Sequence, residues 1–322
     1  MKKYILHILL ILLLLPACML SPSEALAADK LMAVIITGDI PRYKAAHESF
    51  MKILKKGGMT EDKVEVFVQR PNADPMSWTN AVRKAVGVGV DVIVTYGAPA
   101  TVIAKKYAKG IPVLFADVGD PVALGIVKGL ATPGGDVSGV SSQTPIDTLL
   151  NSFTSSFKAK SLGIIYSKQD KEATLQVKIL QKLSSKYGFK VIPKEVTTCK
   201  QVVSSFGSIS SKIDSLYVPH CAVLEPAIQK LVDSATSAKI PTFTQGPGLA
   251  LKGALMELSA DPMEQGQLLG VHALQVLNGQ KAFTLPVRTP KKVSFTVNMK
   301  AAKALGVKVP INILETATKV IN

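Results

Sequence analysis

The residues that could do chemistry are few and scattered. Four histidines and three cysteines are spread over 322 positions, without the close Cys or His spacing that a zinc site needs. No glycine-rich loop ends in Gly-Lys-Ser/Thr to cradle a phosphate, and no His-Glu-x-x-His helix is present to hold a catalytic metal. Gly207-Ser208-Ile209-Ser210 lacks the second glycine of a nucleophile turn and falls in a helical stretch. His7 lies near the start of the chain, which leaves few general bases. These residues point to binding without turnover, with no catalytic residue, cofactor or metal.

The polar residues best placed to bind something follow directly after Val/Ile-rich runs. In open parallel α/β sheets a ligand collects beyond the carboxyl ends of the strands. Thr37, Gly38 and Asp39 follow the first run, Tyr96, Gly97, Ala98 and Pro99 the third, and Asp117, Gly119 and Asp120 the fourth. Ser142 lies just past a fifth, and in the second half Tyr166, His220 and Gln245 hold the matching places. The turn from Tyr96 to Thr101 opens a helix whose free N–H groups suit an anionic head group, although the same residues also make an ordinary strand-to-helix turn. Asp39, Asp117 and Asp120 suit a ligand ammonium. Asp120, ahead of Pro121, equally reads as a turn or helix cap. Tyr96, Tyr166 and Tyr217 could stack on a flat ligand, with Tyr217 equally suited to packing within its strand. His220 could donate to a ligand, sense pH or serve as a structural hydrogen-bonder.

The elements that must position these residues alternate. Strands are expected at residues 31–37, 63–69, 91–95 and 111–115, with helices at 43–56, 77–86 and 98–109 between them. After the turn-rich stretch from Asp117 to Asp136 and a strand at 137–140 the rhythm restarts. Helices are expected at 145–157, 171–187, 201–212 and 224–238, and strands at 161–166, 189–196, 215–218 and 240–244. Two such sets predict an α/β protein of two similar doubly wound parallel-sheet lobes. A strand at 253–258, a helix at 262–277 and a strand at 293–298 are too few for a third domain and are read as crossings between the lobes. The joints are expected near residues 139–142, 258–260 and 283–286. They make a multi-strand hinge that lets the lobes close on a ligand. The expected division is 28–140 plus 258–282 for one lobe and 141–257 plus 283–322 for the other.

Composition fits this reading. Hydrophobic residues make up 47% and aromatics only 6%, the balance of strands buried on both faces. The net charge of +15 invites a nucleic-acid role. The lysines are dispersed, however, never grow into a basic run, and accompany no nucleic-acid motif, so a generally cationic solvated surface is expected. Met1-Lys2-Lys3 and the apolar block 5–15 have the form of an export signal over residues 1–27, cut after Ala25-Leu26-Ala27. The block is shorter than the ~20 residues of a membrane span. The alternative is a lipoprotein box, Leu15-Pro16-Ala17-Cys18, with a lipid anchor at Cys18. Export leaves Cys199 and Cys221 in an oxidising compartment, either joined as a disulfide or kept as two separate buried thiols.

Two blocks carry a family resemblance. Gly110-Ile111-Pro112-Val113-Leu114-Phe115 through Asp120-Pro121-Val122, then Pro133-Gly134-Gly135-Asp136-Val137-Ser138-Gly139-Val140-Ser141, resemble the ABC-transporter substrate-binding family that includes tryptophan- and tyrosine-uptake receptors. The tail resembles it too, in Asn278-Gly279-Gln280, Leu285-Pro286-Val287 and Val297-Asn298 through Val309-Pro310. The resemblance spans the mature chain. It implies a type I periplasmic-binding fold, a small-solute cleft faced by the Tyr96–Thr101 and Asp117–Pro121 turns, and delivery to a membrane permease and its ATPase. The expected receptor is a monomer, periplasmic or otherwise extracytoplasmic, that binds a small polar, amino-acid-like solute.

Two departures fall on the cleft. Where the family commonly has Asp-Asn after the strand ending Val218-Pro219, this chain has His220-Cys221. Where the family often has Asn-Pro and an acidic residue after Tyr166, this chain has Ser167-Lys168-Gln169-Asp170. Two other function classes share a two-lobed frame: a sensory module for a membrane signalling protein, and a racemase working through opposed thiols. Cys199 and Cys221 fall in one lobe, which argues against the racemase.

Overall fold

Every residue of β3 (Val92–Tyr96), β4 (Val113–Val118) and β5 (Val137–Ser141) is buried, as continuous Val/Ile/Leu runs require when helices cover both faces of a parallel sheet. In the computed structural model, which describes residues 28–322, these strands join β1 (Lys30–Ile36) and β2 (Val64–Gln69). The result is an all-parallel five-stranded sheet in the order β2-β1-β3-β4-β5. Helices α1 (Pro41–Lys56), α2 (Pro75–Val88) and α3 (Ala98–Tyr107) each carry proline in the first turn, where its missing N–H costs nothing. The export leader expected at 1–27, Cys18 included, lies outside the described residues. No helix among the described residues is long and apolar enough to cross a membrane.

The second sheet repeats the first and extends it. Strands β6 (Ser161–Tyr166), β7 (Lys190–Glu195), β8 (Ser215–Val218), β9 (Thr242–Thr244) and β10 (Met256–Ala260) run in the order β7-β6-β8-β9-β10. Both sheets therefore reverse strand order between their first and third strands, the doubly wound pattern that places a ligand at that reversal. β11 (Val293–Asn298) adds antiparallel to β10, and β12 (Lys319–Ile321) parallel to β11. The helices here are α4 (Ile146–Ser156), α5 (Lys171–Tyr187), α6 (Val202–Ile209) and α7 (Ile228–Ser237). Single 3₁₀ turns flank α6 at Cys199–Gln201 and Ser210–Lys212, so the helix expected at 201–212 is shorter and broken at both ends.

Helix α8 (Pro262–Leu277) returns to the first lobe and packs along α1. Gly266 and Gly270 allow this: a Cβ at Gly266 would overlap the Ala46 carbonyl, and one at Gly270 would stand 2.6 Å from the Ile53 Cβ. The tail adds α9 (Met299–Leu305) and α10 (Ile311–Thr316), elements too short for periodicity to reveal.

Three crossings join the lobes. β5 leaves the first sheet at Ser141, and Thr144 Oγ1 donates to the Leu258 carbonyl at 3.2 Å. β10 stays in the second sheet through Ala260 before α8 begins. On the return, residues 285–288 still run beside β5: Arg288 N donates to Gly139 O at 2.9 Å and Ser141 N to Arg288 O at 2.8 Å. The larger of two apolar cores fills the first lobe and continues into the second at Ile165, Val202, Phe206 and Leu231. The smaller covers the other face of the second sheet, around Leu149, Phe153, Phe243 and Val297.

Candidate functional site

Arg42 occupies the first turn of α1, directly after β1 and at the strand-order reversal. A cation there opposes the helix dipole, so its placement needs another cause. That cause is two carboxylates. Arg42 Nε donates to Asp117 Oδ2 at 2.7 Å within the first lobe, and Nη1 donates to Glu225 Oε2 of the second lobe at 2.8 Å. Burial works against the guanidinium charge, but Tyr43, Glu225 and Asp117 together hold it firmly protonated. Glu225 is buried as well, yet Arg42 and Lys252 hold its carboxyl below the ordinary range.

Asp117 reaches Arg42 through an irregular backbone. β4 runs on to Val118 instead of ending at Phe115, and its pairing with β5 shifts register between those two residues. Asp117 sits in the shift with φ at +57°, a left-handed conformation that costs an L residue roughly 1–2 kcal/mol. Its N–H donates to Gln265 Oε1 of α8 at 2.9 Å, and its Oδ1 has no hydrogen-bond partner.

A second cross-lobe bond lies close by. Gly119 N donates to Glu172 Oε1 of α5 at 2.7 Å. Glu172 follows Asp170, whose carboxylate caps α5 by accepting from Glu172 N and Ala173 N and also accepts from Ala222 N at 3.0 Å. Asp170 and Ala222 thus tie together the two segments that depart from the family pattern. Burial pushes the Asp170 carboxyl up to about 6. The Glu172 carboxyl is also raised well above its ordinary value, by burial first and then by Asp170 and Asp117. Among the described residues, the lysine and arginine partners of Asp117, Asp170, Glu172 and Glu225 are Arg42 and the partly exposed Lys252. The cleft has an acidic excess.

His220 completes the wall. Its Nε2 lies 2.8 Å from Gln245 O and its Nδ1 4.0 Å from Glu172 Oε1, and burial lowers its pKa. Gln176 brackets its backbone, accepting from His220 N and donating to His220 O, both at 3.1 Å. Tyr217 donates to Gln176 and Gln245, and Gln245 donates to Thr144 O and Oγ1 at the hinge.

The charged cluster separates two cavities between the lobes. The inner one, about 90 Å³ against the hinge, is bordered by Gly119, Ser142, Glu172, His220 and Gln245, with Asp120 at its edge. The outer, more open one, about 370 Å³, is bordered by Thr37, Gly38 and Asp39 on one side and by Glu225 and Lys252 on the other.

Several expected site residues lie elsewhere. Tyr96 is fully buried, with its hydroxyl 3.4 Å from His47. Gly97, Ala98 and Pro99 are buried too, and the Tyr43 hydroxyl fills the space beside Gly97, so the N-terminus of α3 is closed to a ligand. Tyr166 is half-buried between the two cores and Tyr217 is fully buried, as packing within its strand requires, so neither ring borders either cavity. Asp120 accepts from Ala123 N at 2.9 Å as a turn cap. Thr37 Oγ1 accepts from Trp78 Nε1 at 3.0 Å. Cys199 and Cys221 are not joined: one is half-buried in a 3₁₀ turn, the other buried beside Asp170.

Arg42, Glu172, Glu225 and Gln176 were not expected from sequence. Of these only Arg42 leaves a trace there, as a cation in the first turn of a helix that follows a strand end.

The family description "ABC transporter substrate binding protein" matches residues 32–321. The chain belongs to this family. It is a family of binding proteins, not of enzymes. Among its relatives, the tyrosine-binding protein of Clostridioides difficile (strain R20291) is 30% identical over 270 residues, covering 83% of this chain and 78% of that protein. The ABC domain from Streptococcus pneumoniae in complex with L-Trp superposes with a TM-score of 0.85 at 25% identity, over 91% of this chain and all of the other. The ligand-free, open structure of a Clostridium difficile substrate-binding protein with adhesive properties is more similar in sequence, 31%, yet superposes at only 0.65, over 91% of this chain and 99% of that one.

Proposed function

We propose that the protein is the extracytoplasmic receptor of an ABC importer. It takes a small, polar, amino-acid-like solute into the cleft and hands it to a membrane permease served by an ATPase. The observation that carries this is the cluster of buried carboxyl groups at the lobe junction, where Glu172 borders the inner cavity and Glu225 the outer one. A ligand ammonium placed there would offset carboxylates that the protein's own cations leave uncompensated, and in a closed, water-poor cleft that attraction is strong.

The same geometry supports hinge closure. The bonds from Arg42 to Glu225 and from Gly119 to Glu172 can exist only with the lobes together. The better superposition on the tryptophan-loaded relative than on the open one, despite lower sequence identity, supports reading this arrangement as the closed state. The three crossings, bonded side by side, are the hinge. No specific observation favours the sensory alternative.

The test is a thermal-shift screen of amino acids, amines, nucleosides and small carboxylates, with scattering measured in parallel. A true ligand at a hundred times its Kd stabilises by about 2.7 kcal/mol and so raises Tm, while the radius of gyration falls. If no small solute stabilises the protein, the receptor reading fails.

A further inference from the structure

We infer that the solute is compact, with a cationic group and a short polar side chain, and that aromatic amino acids are excluded. This rests on the receptor reading and narrows it against the relatives named above, which bind tyrosine or carry tryptophan.

Size is the first ground. The inner cavity holds about 90 Å³. A cavity of about 150 Å³ is what accommodates a benzene ring, and each water-sized group takes about 10–15 Å³. The space therefore suits a solute the size of alanine, serine or threonine.

It also has little slack. Moving the lobes apart to admit a ring would break Arg42–Glu225 and Gly119–Glu172, held at 2.8 and 2.7 Å. The first is a buried ion pair and the second a buried hydrogen bond, so breaking them without replacement is costly.

The lining chemistry agrees. No aromatic side chain borders the cavity, and Tyr96 and Tyr217 are fully buried in the cores. Its apolar wall is aliphatic: Ile146, Leu175 and Ile179. The remaining border is polar and includes one group without a partner. Ser142 is 6% exposed and its Oγ has no hydrogen-bond partner. A buried hydroxyl left unsatisfied is costly, and a polar ligand atom in the cavity would satisfy it. Glu172 on the facing lobe supplies a carboxyl whose pKa, raised by burial, a ligand ammonium would bring down.

Isothermal titration of the protein with alanine, serine and threonine, and separately with phenylalanine, tyrosine and tryptophan, tests the inference. At least one of the small set should bind at least a hundredfold more tightly than any of the aromatic set. Ser142→Ala should weaken that binding about tenfold, the loss of one hydrogen bond. Glu172→Gln, which keeps the shape and removes the charge, should weaken it at least tenfold. Aromatic amino acids binding as tightly as the small ones, or binding confined to solutes outside the small set, would overturn the size argument and leave the receptor standing. If neither these sets nor any solute of the wider screen binds, the receptor reading falls and takes this inference with it.

Discussion

Arg42 of the first lobe and Glu225 of the second meet at 2.8 Å although 183 positions separate them in sequence. Their side chains are 8% and 9% exposed. The same guanidinium is anchored from behind by Asp117, so a single cation holds its own lobe's bulged strand and the other lobe's loop. This pairing is the mechanical centre of the cleft.

Removing Arg42 should therefore open the molecule. Arg42→Met leaves Asp117 and Glu225 buried without their shared cation, a loss of about 3–5 kcal/mol for a broken buried pair. Scattering should show a larger radius of gyration for Arg42→Met than for the wild type, with a lower Tm. Glu225→Gln, which retains an acceptor and removes only charge, should shift both in the same direction by less. An unchanged profile for both variants would contradict the latch.

Packing of α8 on α1 predicts a contrast between two glycines. Gly266→Ala pushes a methyl group into the Ala46 backbone carbonyl, which cannot swing aside, and should destabilise by about 1–3 kcal/mol or more. Gly87→Ala, in α2 with open space around it, should be neutral or stabilising by up to about 1 kcal/mol. Urea midpoints of the two variants should fall on opposite sides of, or at, the wild-type value.

Asp170 makes stability depend on pH in a known direction. Its carboxyl titrates near 6 in the folded chain because it is buried, and near 3.9 when unfolded. The folded state thus holds the extra proton between those values. The contribution of Asp170 is fully present below about pH 4 and is lost as pH rises through 6, by about 3 kcal/mol in all. Asp170→Asn keeps a capping acceptor but cannot ionise. Its unfolding free energy relative to the wild type should therefore rise between about pH 4 and pH 7, and a flat difference across that range would count against burial as the cause.

The two thiols should behave separately. Burial pushes the Cys221 thiol well up, so iodoacetamide should spare it in the folded protein and label it after denaturation without reductant. Cys199, half-buried, should label in the folded state. Protection of both until a reductant is added would mean that they are joined.

Much of this architecture was legible in the chain. Alternating Val/Ile-rich and amphipathic stretches predicted both doubly wound lobes, because strands covered on two faces must be apolar throughout and the intervening helices must hide one stripe. The strand-end rule pointed at Gly119, Ser142, His220 and Gln245, and all four border the inner cavity. It went wrong at Tyr96. Period-two alternation cannot say which side a ring takes when both sides are buried, and Tyr96 turned into the core, as Tyr217 was expected to. The turn at Gly97 to Pro99 looked open because nothing nearby in sequence covers it. Its cover, the Tyr43 hydroxyl, comes from a different helix.

The sequence by itself determined the elements, their order, the turn cap at Asp120 and the likeness to a receptor family, since these depend on neighbours a few residues away or on patterns repeated along the chain. Only the tertiary structure decided that Arg42 meets Glu225, that Gly119 meets Glu172 across the cleft, and that the cavity beside them is small. Those facts depend on how two lobes dock, and Coulomb attraction and cavity volume act through space, without regard to distance along the chain.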